Sequence, residues 1–524
     1  MTDRRHGAAL GVRRLYALDR RRDRRPLLFV GALTLLLLGV KVASMAVVAQ
    51  PGYTDAYYFT NVASRVAQGS GLTADFIWNY IEAPRFIALP VPSHRFWMPL
   101  PALVGAFGMS MVGSVITDFR AAQLAMILIA TALPPLTYAA ARGLGAGMLA
   151  ALGAAAIVGL GGALAPAWVS IDAFGIAALL GTLFFLVFAR AAQGSVRWGL
   201  LCGLLVGLLY LARAEAALFG LALVWLAGRR RTQGAGVAGA AVALAIGLAW
   251  TIRGLLLGFP VDLLARAVLL VRYEDFFALH PPTLATFLSS PAEVLGAKVS
   301  ALVANANTAA ITLLLVPLVP IARAVRTRWA RIDVRAFVGL FLVIYLAQSL
   351  VFTEHSTRGS FFHSIAALFP FAVALGASGV DELLRASTQG MHRVTWATAV
   401  AAFGAISVFS LAQWDVDFNT AYRARLAAVS ALPPGPIVVI DAAAWRWIAN
   451  RQAILAPSDG PAAAACAGEV YLARTLVLEP AHFSRYADLY ASRRNDQFTR
   501  RAEHGAIRVY SLRDDNRCIT AATE

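Results

Sequence analysis

The chain carries a long series of uninterrupted apolar runs, many about as long as a bilayer core is thick. A helix crossing that core needs about 20 residues. The run from Leu27 to Val48 meets this length, and others lie near 119–141, 145–166, 171–190, 197–212, 214–228, 235–255, 303–323, 334–352, 361–380 and 393–412. The pair 197–212 and 214–228 is individually short and is broken by Arg213-Ala214-Glu215, which reads as a tight helical hairpin. Charged residues make up 14% of the 524 residues, against about 25% in soluble domains. This excludes a soluble enzyme, a disordered protein and, despite the net charge of +17, a nucleic-acid-binding domain. The expected fold class is an α-helical polytopic membrane protein with about eleven transmembrane helices.

Charge sets the expected orientation. Residues 1–25 hold nine arginines against three aspartates, a basic cytoplasmic tail. The first run is too long for the apolar region of a signal peptide and lacks an obvious cleavage site, so it reads as an uncleaved span. The run 99–117, with Pro99, Pro101, Gly105, Gly108 and Gly113, decides the parity of every later span. If it lies in the outer interface, the short cytoplasmic loops carry thirteen arginines between Arg142 and Arg393, and the short outer loops only Arg213 and Arg358. If it spans, the bias inverts, so the positive-inside rule favours the interfacial reading. The expectation is a transmembrane domain over 26–412, outer loops at about 49–118 and 256–302, and an extracytoplasmic segment over 413–524. Abundant alanine, and arginine in place of lysine, suggest a bacterial cytoplasmic membrane.

The C-terminal segment changes character. Pro433, Pro434 and Pro436 mark a linker. Strands are expected at Ile437–Ile440, Ala453–Leu455, Val470–Leu472, Thr475–Leu478 and Ala506–Leu512, with a helix at Ala443–Asn450, giving a small α/β domain. Cys466 and Cys518 would meet an oxidising compartment there, either paired or as two free thiols.

Residues able to carry chemistry gather on the outer side. Pro51-Gly52-Tyr53-Thr54-Asp55-Ala56-Tyr57-Tyr58 puts an acid and a cluster of aromatics just past the first span. Long, aromatic, glycine-punctuated loops are often functional, although Asp55 also suits a helix cap. Ser93-His94-Arg95-Phe96-Trp97 suits either an interfacial belt or a binding rim. Asp172 opens the run 171–190 as a cap or a site residue. Arg213, Arg253, Arg272 and Arg358 are further outer cations. Lys41, inside the first span, either lines a cavity or snorkels. No His/Cys/carboxylate cluster has clear metal-ligand spacing, so no cofactor is assigned and a divalent metal stays open.

In this order and spacing the features resemble the C-type glycosyltransferases (GT-C), in particular the aminoarabinose transferase and protein O-mannosyltransferase group. The resemblance rests on Asp55 early in a long first outer loop and on the Pro-rich, Trp-containing segment Pro90–Leu100. It rests also on Ser170-Ile171-Asp172-Ala173, on Leu209–Glu215, and on Ala249-Trp250-Thr251-Ile252-Arg253 with Gly258-Phe259-Pro260. Beyond residue 260 it is mainly topological, with His355-Ser356-Thr357-Arg358 before Phe361–Pro370. Two positions depart from the pattern. Asp55 is followed by Ala56 where O-mannosyltransferases carry Glu, and Ser93–Trp97 replaces an acid and a lysine of the aminoarabinose transferases.

The resemblance implies a polyprenyl-phosphate sugar donor, a glycan, lipid or protein acceptor, and a site among membrane lipids. Asp55 would act as general base and as the negative charge beside an oxocarbenium-like transition state. Asp172 and His94 would assist it. Arg95, Arg213, Arg253, Arg272 and Arg358, with Tyr57, would hold the leaving phosphate. The competing readings are a lipid or sugar transporter or flippase, and a non-catalytic envelope assembly protein. A transporter predicts internal repeats, whereas this chain gathers its polar residues in one outer loop.

Overall fold

The computed structural model describes residues 25–81, 86–260, 268–270, 272–280, 283–313, 318–352 and 360–513. The basic tail 1–24, His355, Arg358 and Cys518 lie outside the described residues.

Among the described residues, seven helices are apolar and long enough to cross a bilayer: Arg25–Ser44, Asp118–Gly143, Ala173–Ala191, Gln233–Leu256, Pro291–Thr312, Ile332–Val351 and Gln389–Ala431. Shorter apolar helices lie between them, including Leu100–Val112, Met148–Leu164, Val196–Ala212 and Ala214–Ala227. The chain is thus a polytopic helical membrane protein. At 1.5 Å per residue Leu100–Val112 is about 20 Å long, short of a core of about 30 Å. It packs between the helices Thr54–Ala67 and Asp118–Thr131. The run expected at 303–323 is divided. A helix starts at Pro291, inside the loop assigned to 256–302, and ends at Leu313, and a second covers Leu318–Thr327.

Helices in lipid gain little from apolar burial against one another, so small residues let their backbones approach. Gly199 and Gly203 face Ala235 and Gly239, and a Cβ on Gly203 would lie 2.1 Å from the Gly239 carbonyl oxygen. Lys41 is turned inward, donating from Nζ to the Gly159 carbonyl at 2.7 Å. That carbonyl sits in the last turn of Met148–Leu160, where helical acceptors lack intrahelical partners.

Among the described residues, strands form two sheets. β1 (Thr73–Ala74) pairs antiparallel with β3 (Val91–Pro92). The larger sheet runs β2-β5-β4-β6-β8-β7, from β2 (Phe76–Ile77), β4 (Ile437–Val439), β5 (Ala453–Leu455), β6 (Thr475–Leu478), β7 (Phe498–His504) and β8 (Ile507–Leu512). β2, β5, β4 and β6 are parallel, and β8 and β7 add antiparallel. Parallel strands are covered on both faces and read as continuous apolar runs, and every residue of β4, β5 and β6 is buried. Val470–Leu472, expected as a strand, instead closes the helix Pro461–Val470 and turns out of it, with Leu472 in the left-handed region at φ 54°. Cys466 in that helix is disulfide-bonded, and Cys202 is free and buried. The edge strand β2 comes from the first long loop, so loop and tail build one sheet. The helix Ala442–Ala449 packs on the helix Thr54–Ala67, so the sheet stands against the first long loop.

Candidate active site

The site is built around the helix Thr54–Ala67, which starts six residues after Val48. Gly52 makes that start possible. Its φ is +98°, and a Cβ there would lie 2.4 Å from the Trp414 ring. The chain can therefore turn tightly beneath Trp414 and present Tyr53, the helix N-cap, and Asp55, in the first turn, to the bundle.

There Asp55 meets Asp172 and His363. His363 Nε2 lies 3.1 Å from Asp172 Oδ2 and 3.7 Å from Asp55 Oδ2. Asp172 has no exposed side chain and His363 is 7% exposed, whereas Asp55 is 22% exposed. Asp172 caps the helix Ala173–Ala191, accepting the Ala173 N–H at 2.5 Å on Oδ1, and accepts the Tyr53 hydroxyl at 2.5 Å on Oδ2. Phe174 stacks on the His363 ring at 4.1 Å. Burial raises the Asp55 carboxyl to about 6; His363 and Arg213 oppose that shift, and Asp172 adds to it. One nitrogen and two carboxylate oxygens thus converge within 4.8 Å. Positive charge between them offsets the two carboxylates, supplied either by a proton on His363 or by a divalent cation.

Arg213 stands behind this trio. Its Nε donates to Glu215 at 2.7 Å, and Ser364, next to His363, donates to the same Glu215 oxygen at 2.6 Å. The hairpin turn and the helix Ser360–Ala366 are thereby tied together.

A second group lies one turn further along the helix Thr54–Ala67. Tyr58 accepts the His94 N–H at 2.6 Å, and its ring is 4.8 Å from Trp97. Trp78 and Trp97 stack at 3.6 Å. His94 is in the left-handed region at φ 60°, a conformation costing about 1–2 kcal/mol for a residue with a Cβ. Burial lowers its imidazole to about 3, with a counteracting bond to Trp97 and a further lowering by Arg253. The ring is therefore neutral. Because Nδ1 faces the Trp97 carbonyl at 3.2 Å, it carries the hydrogen and leaves Nε2 as an acceptor. Arg95 and Arg253 share the Phe259 ring, at 5.0 and 5.6 Å, and Arg253 Nη2 donates to the Ser93 carbonyl at 3.3 Å. Ser93 Oγ, His94 Nε2, Arg95 Nε and Arg253 Nη1 are buried with no hydrogen-bond partner among the described residues.

Of the residues singled out from sequence, Asp55, Asp172 and Arg213 come together. His94, Arg95 and Arg253 form the neighbouring group. Tyr57 points elsewhere, donating to Gln50 at 2.6 Å. Arg272 is 72% exposed on its side chain and lies 3.9 Å from Glu293. His363 was missed because it falls inside an apolar run. An ionisable group in such a run is itself a signal, as it is at Lys41.

No protein-family model and no curated protein sequence matches the chain. Its structure is similar to that of ArnT from Cupriavidus metallidurans bound to undecaprenyl phosphate, at a TM-score of 0.54 and 13% identity, covering 94% of this chain and 99% of that one. It is also similar to the oligosaccharyltransferase AglB from Archaeoglobus fulgidus in complex with an inhibitory peptide and a dolichol-phosphate. There the TM-score is 0.52 and the identity 12%, over 85% of this chain and 69% of that one. The mycobacterial arabinofuranosyltransferase AftD aligns at 0.50 and 13% identity over 94% of this chain, which spans 40% of AftD. The chain has the fold of the C-type membrane glycosyltransferases.

Proposed function

We propose that the protein moves a sugar from a polyprenyl-phosphate donor to an acceptor hydroxyl on the sheet side of the membrane. The convergence of Asp55, Asp172 and His363 at that end of a GT-C fold carries this reading. Asp55 is the member open to solvent, so it is the one able to meet substrate. It takes the acceptor's proton as the hydroxyl oxygen bonds to the anomeric carbon. The bond from that carbon to the phosphate oxygen breaks, and its electron pair leaves on polyprenyl phosphate. Asp172 and His363, sealed behind Asp55, fix the geometry. Arg213, Arg95 and Arg253 are the cations available to the phosphate. The unpartnered N–H groups on Arg95 and Arg253 support that role. ArnT with undecaprenyl phosphate and AglB with dolichol-phosphate support a lipid-linked donor.

We take the sheet side to be the extracytoplasmic face of a bacterial cytoplasmic membrane. The arginine bias of the opposite loops supports this, as does a disulfide-bonded Cys466. Two carboxylates and an imidazole also suit a divalent cation such as Mn²⁺ or Zn²⁺. Asp55, Asp172 and His363 would hold it, and it would supply positive charge beside the leaving phosphate.

The test is transfer by purified protein in proteoliposomes, with Asp55→Asn against wild type. Loss of a general base costs about 10²–10⁴-fold. An Asp55→Asn protein present at normal level and transferring at the wild-type rate refutes the assignment.

A further inference from the structure

The turn ahead of Asp55 is set by a buried amide. Gln50 is fully buried between the first span and the helix Thr54–Ala67. Its Oε1 accepts the Gly52 N–H at 2.6 Å and the Tyr57 hydroxyl at 2.6 Å. Gly52 stands three residues before Asp55, and Tyr57 two residues after it. One oxygen, with both lone pairs used, therefore clasps the chain on either side of Asp55.

The other half of the amide is tied to the end of the last long helix. Gln50 Nε2 donates to Asn419 Oδ1 at 3.0 Å. Asn419 Nδ2 donates to the Val47 carbonyl and to Asp415 Oδ1, both at 2.8 Å. Asn419 ends a wide π-turn, Asp415–Asn419, that joins the helix Gln389–Trp414 to Thr420–Ala428. Such turns within helices are rare, and they often mark functional sites. This one begins directly after Trp414, whose ring packs against Gly52 and Tyr53.

Polarity gives this joint a direction. A backbone N–H can only donate, so the Gly52 contact turns Oε1 toward the start of the helix and Nε2 toward Asn419. Apolar side chains of the same size would fill the space without burying two amides, but they would not select one orientation of the turn. The clasped segment holds Tyr53, whose hydroxyl reaches Asp172 at 2.5 Å, and Asp55, which lies 3.7 Å from His363.

We propose that Gln50, oriented by Asn419, is a positioning residue for sugar transfer, fixing the turn from Gly52 to Tyr57 and with it the direction in which Asp55 is presented. This rests on Asp55 being the reacting carboxylate. Gln50 and Asn419 are both buried and act through the turn, without touching substrate.

The experiment uses full-length protein in proteoliposomes, with a lipid extract containing polyprenyl-phosphate sugars as donor. Gln50→Met, Gln50→Glu, Tyr57→Phe and Asp55→Asn are compared with wild type, with rates normalised to folded protein. Gln50→Met keeps the volume and removes the clasp, and is expected to lower kcat by about 10- to 100-fold with the donor KM unchanged. Tyr57→Phe removes one of the two bonds and is expected to lower kcat by about 2- to 10-fold. Gln50→Glu is expected to recover most of kcat. Burial keeps its carboxyl protonated, so it still offers an oxygen to Gly52 and Tyr57 and a donor to Asn419. Wild-type kcat in Gln50→Met overturns the proposal. So does a rise in KM with kcat intact, an activity loss fully accounted for by loss of folded protein, or a Gln50→Glu protein no better than Gln50→Met. Wild-type turnover in Asp55→Asn instead removes the reading of Asp55 itself, whatever the Gln50 variants do.

Discussion

Asp172→Asn separates an acid that organises the site from one that merely caps a helix. The substitution preserves shape and one carbonyl oxygen. Asn serves as well as Asp at an N-cap, so that oxygen can keep the Ala173 N–H. The amide NH₂ then replaces Oδ2, the atom that accepts both Tyr53 Oη at 2.5 Å and His363 Nε2 at 3.1 Å. A protonated His363 then meets a donor, and Tyr53 keeps a contact only by turning its hydroxyl to accept, so both bonds to the carboxylate are lost. The Asp172 side chain has no exposure, so water cannot substitute. Hydrogen bonds to a charged group contribute about 1.5–3 kcal/mol each. Even the lower figure gives about 3 kcal/mol for the two. If that energy holds His363 and Tyr53 for transfer, the rate falls on the order of 10²-fold. The assay is the initial rate in proteoliposomes, with melting followed by tryptophan fluorescence on the same sample. A purely capping role predicts wild-type rate and melting. An Asp172→Asn protein within twofold of wild type on rate, with unchanged melting, would refute the reasoning.

With Asp55 raised to about 6, its base form accumulates as pH rises through that value, so a pH–rate profile should climb there and level above it. The folded value lies above the unfolded one, so folding gains from the Asp55 proton below about 4, the unfolded value. That gain disappears as pH rises through about 6 and should show as lower melting temperatures. Arg95→Ala and Arg253→Ala should each weaken binding of undecaprenyl phosphate in nanodiscs by about 1.5–3 kcal/mol, the range for hydrogen bonds to charged groups; an unchanged Kd in both excludes them from phosphate recognition. Gly203→Val should force apart the helices Val196–Ala212 and Gln233–Leu256 and destabilise the protein by about 1–3 kcal/mol, measured as a lower melting temperature with little folded protein recovered.

How far each element could be read in advance depends on how it is partnered. β4, β5 and β6 were legible because strands covered on both faces are apolar throughout. β7, reading Phe-Thr-Arg-Arg-Ala-Glu-His, was not, because an edge strand protected by charge resembles a loop. β2 is two residues long and takes its meaning from Ala453 and Ile454, far away in sequence. Asp55 and Asp172 stood out as acids just off apolar runs, yet nothing local says that they share a partner. That partner, His363, arrives from a helix far later in the sequence, and the packing of Phe174 and Tyr53 helps to bring it in.

The shared sheet imposes an order on biosynthesis. Phe76 and Ile77 emerge from the ribosome early, but the strand they must join lies at 453–455 and the carbonyl that accepts from Asn61 lies at 443. Pairings so distant in sequence are slow to form and leave exposed intermediates. The first long loop must therefore wait, across the insertion of nearly every later span, for the tail to reach the same side. A chain stopped before residue 437 would keep its membrane helices but leave that loop without its sheet. Nascent protein would thus stay inactive until the whole chain has been made and delivered.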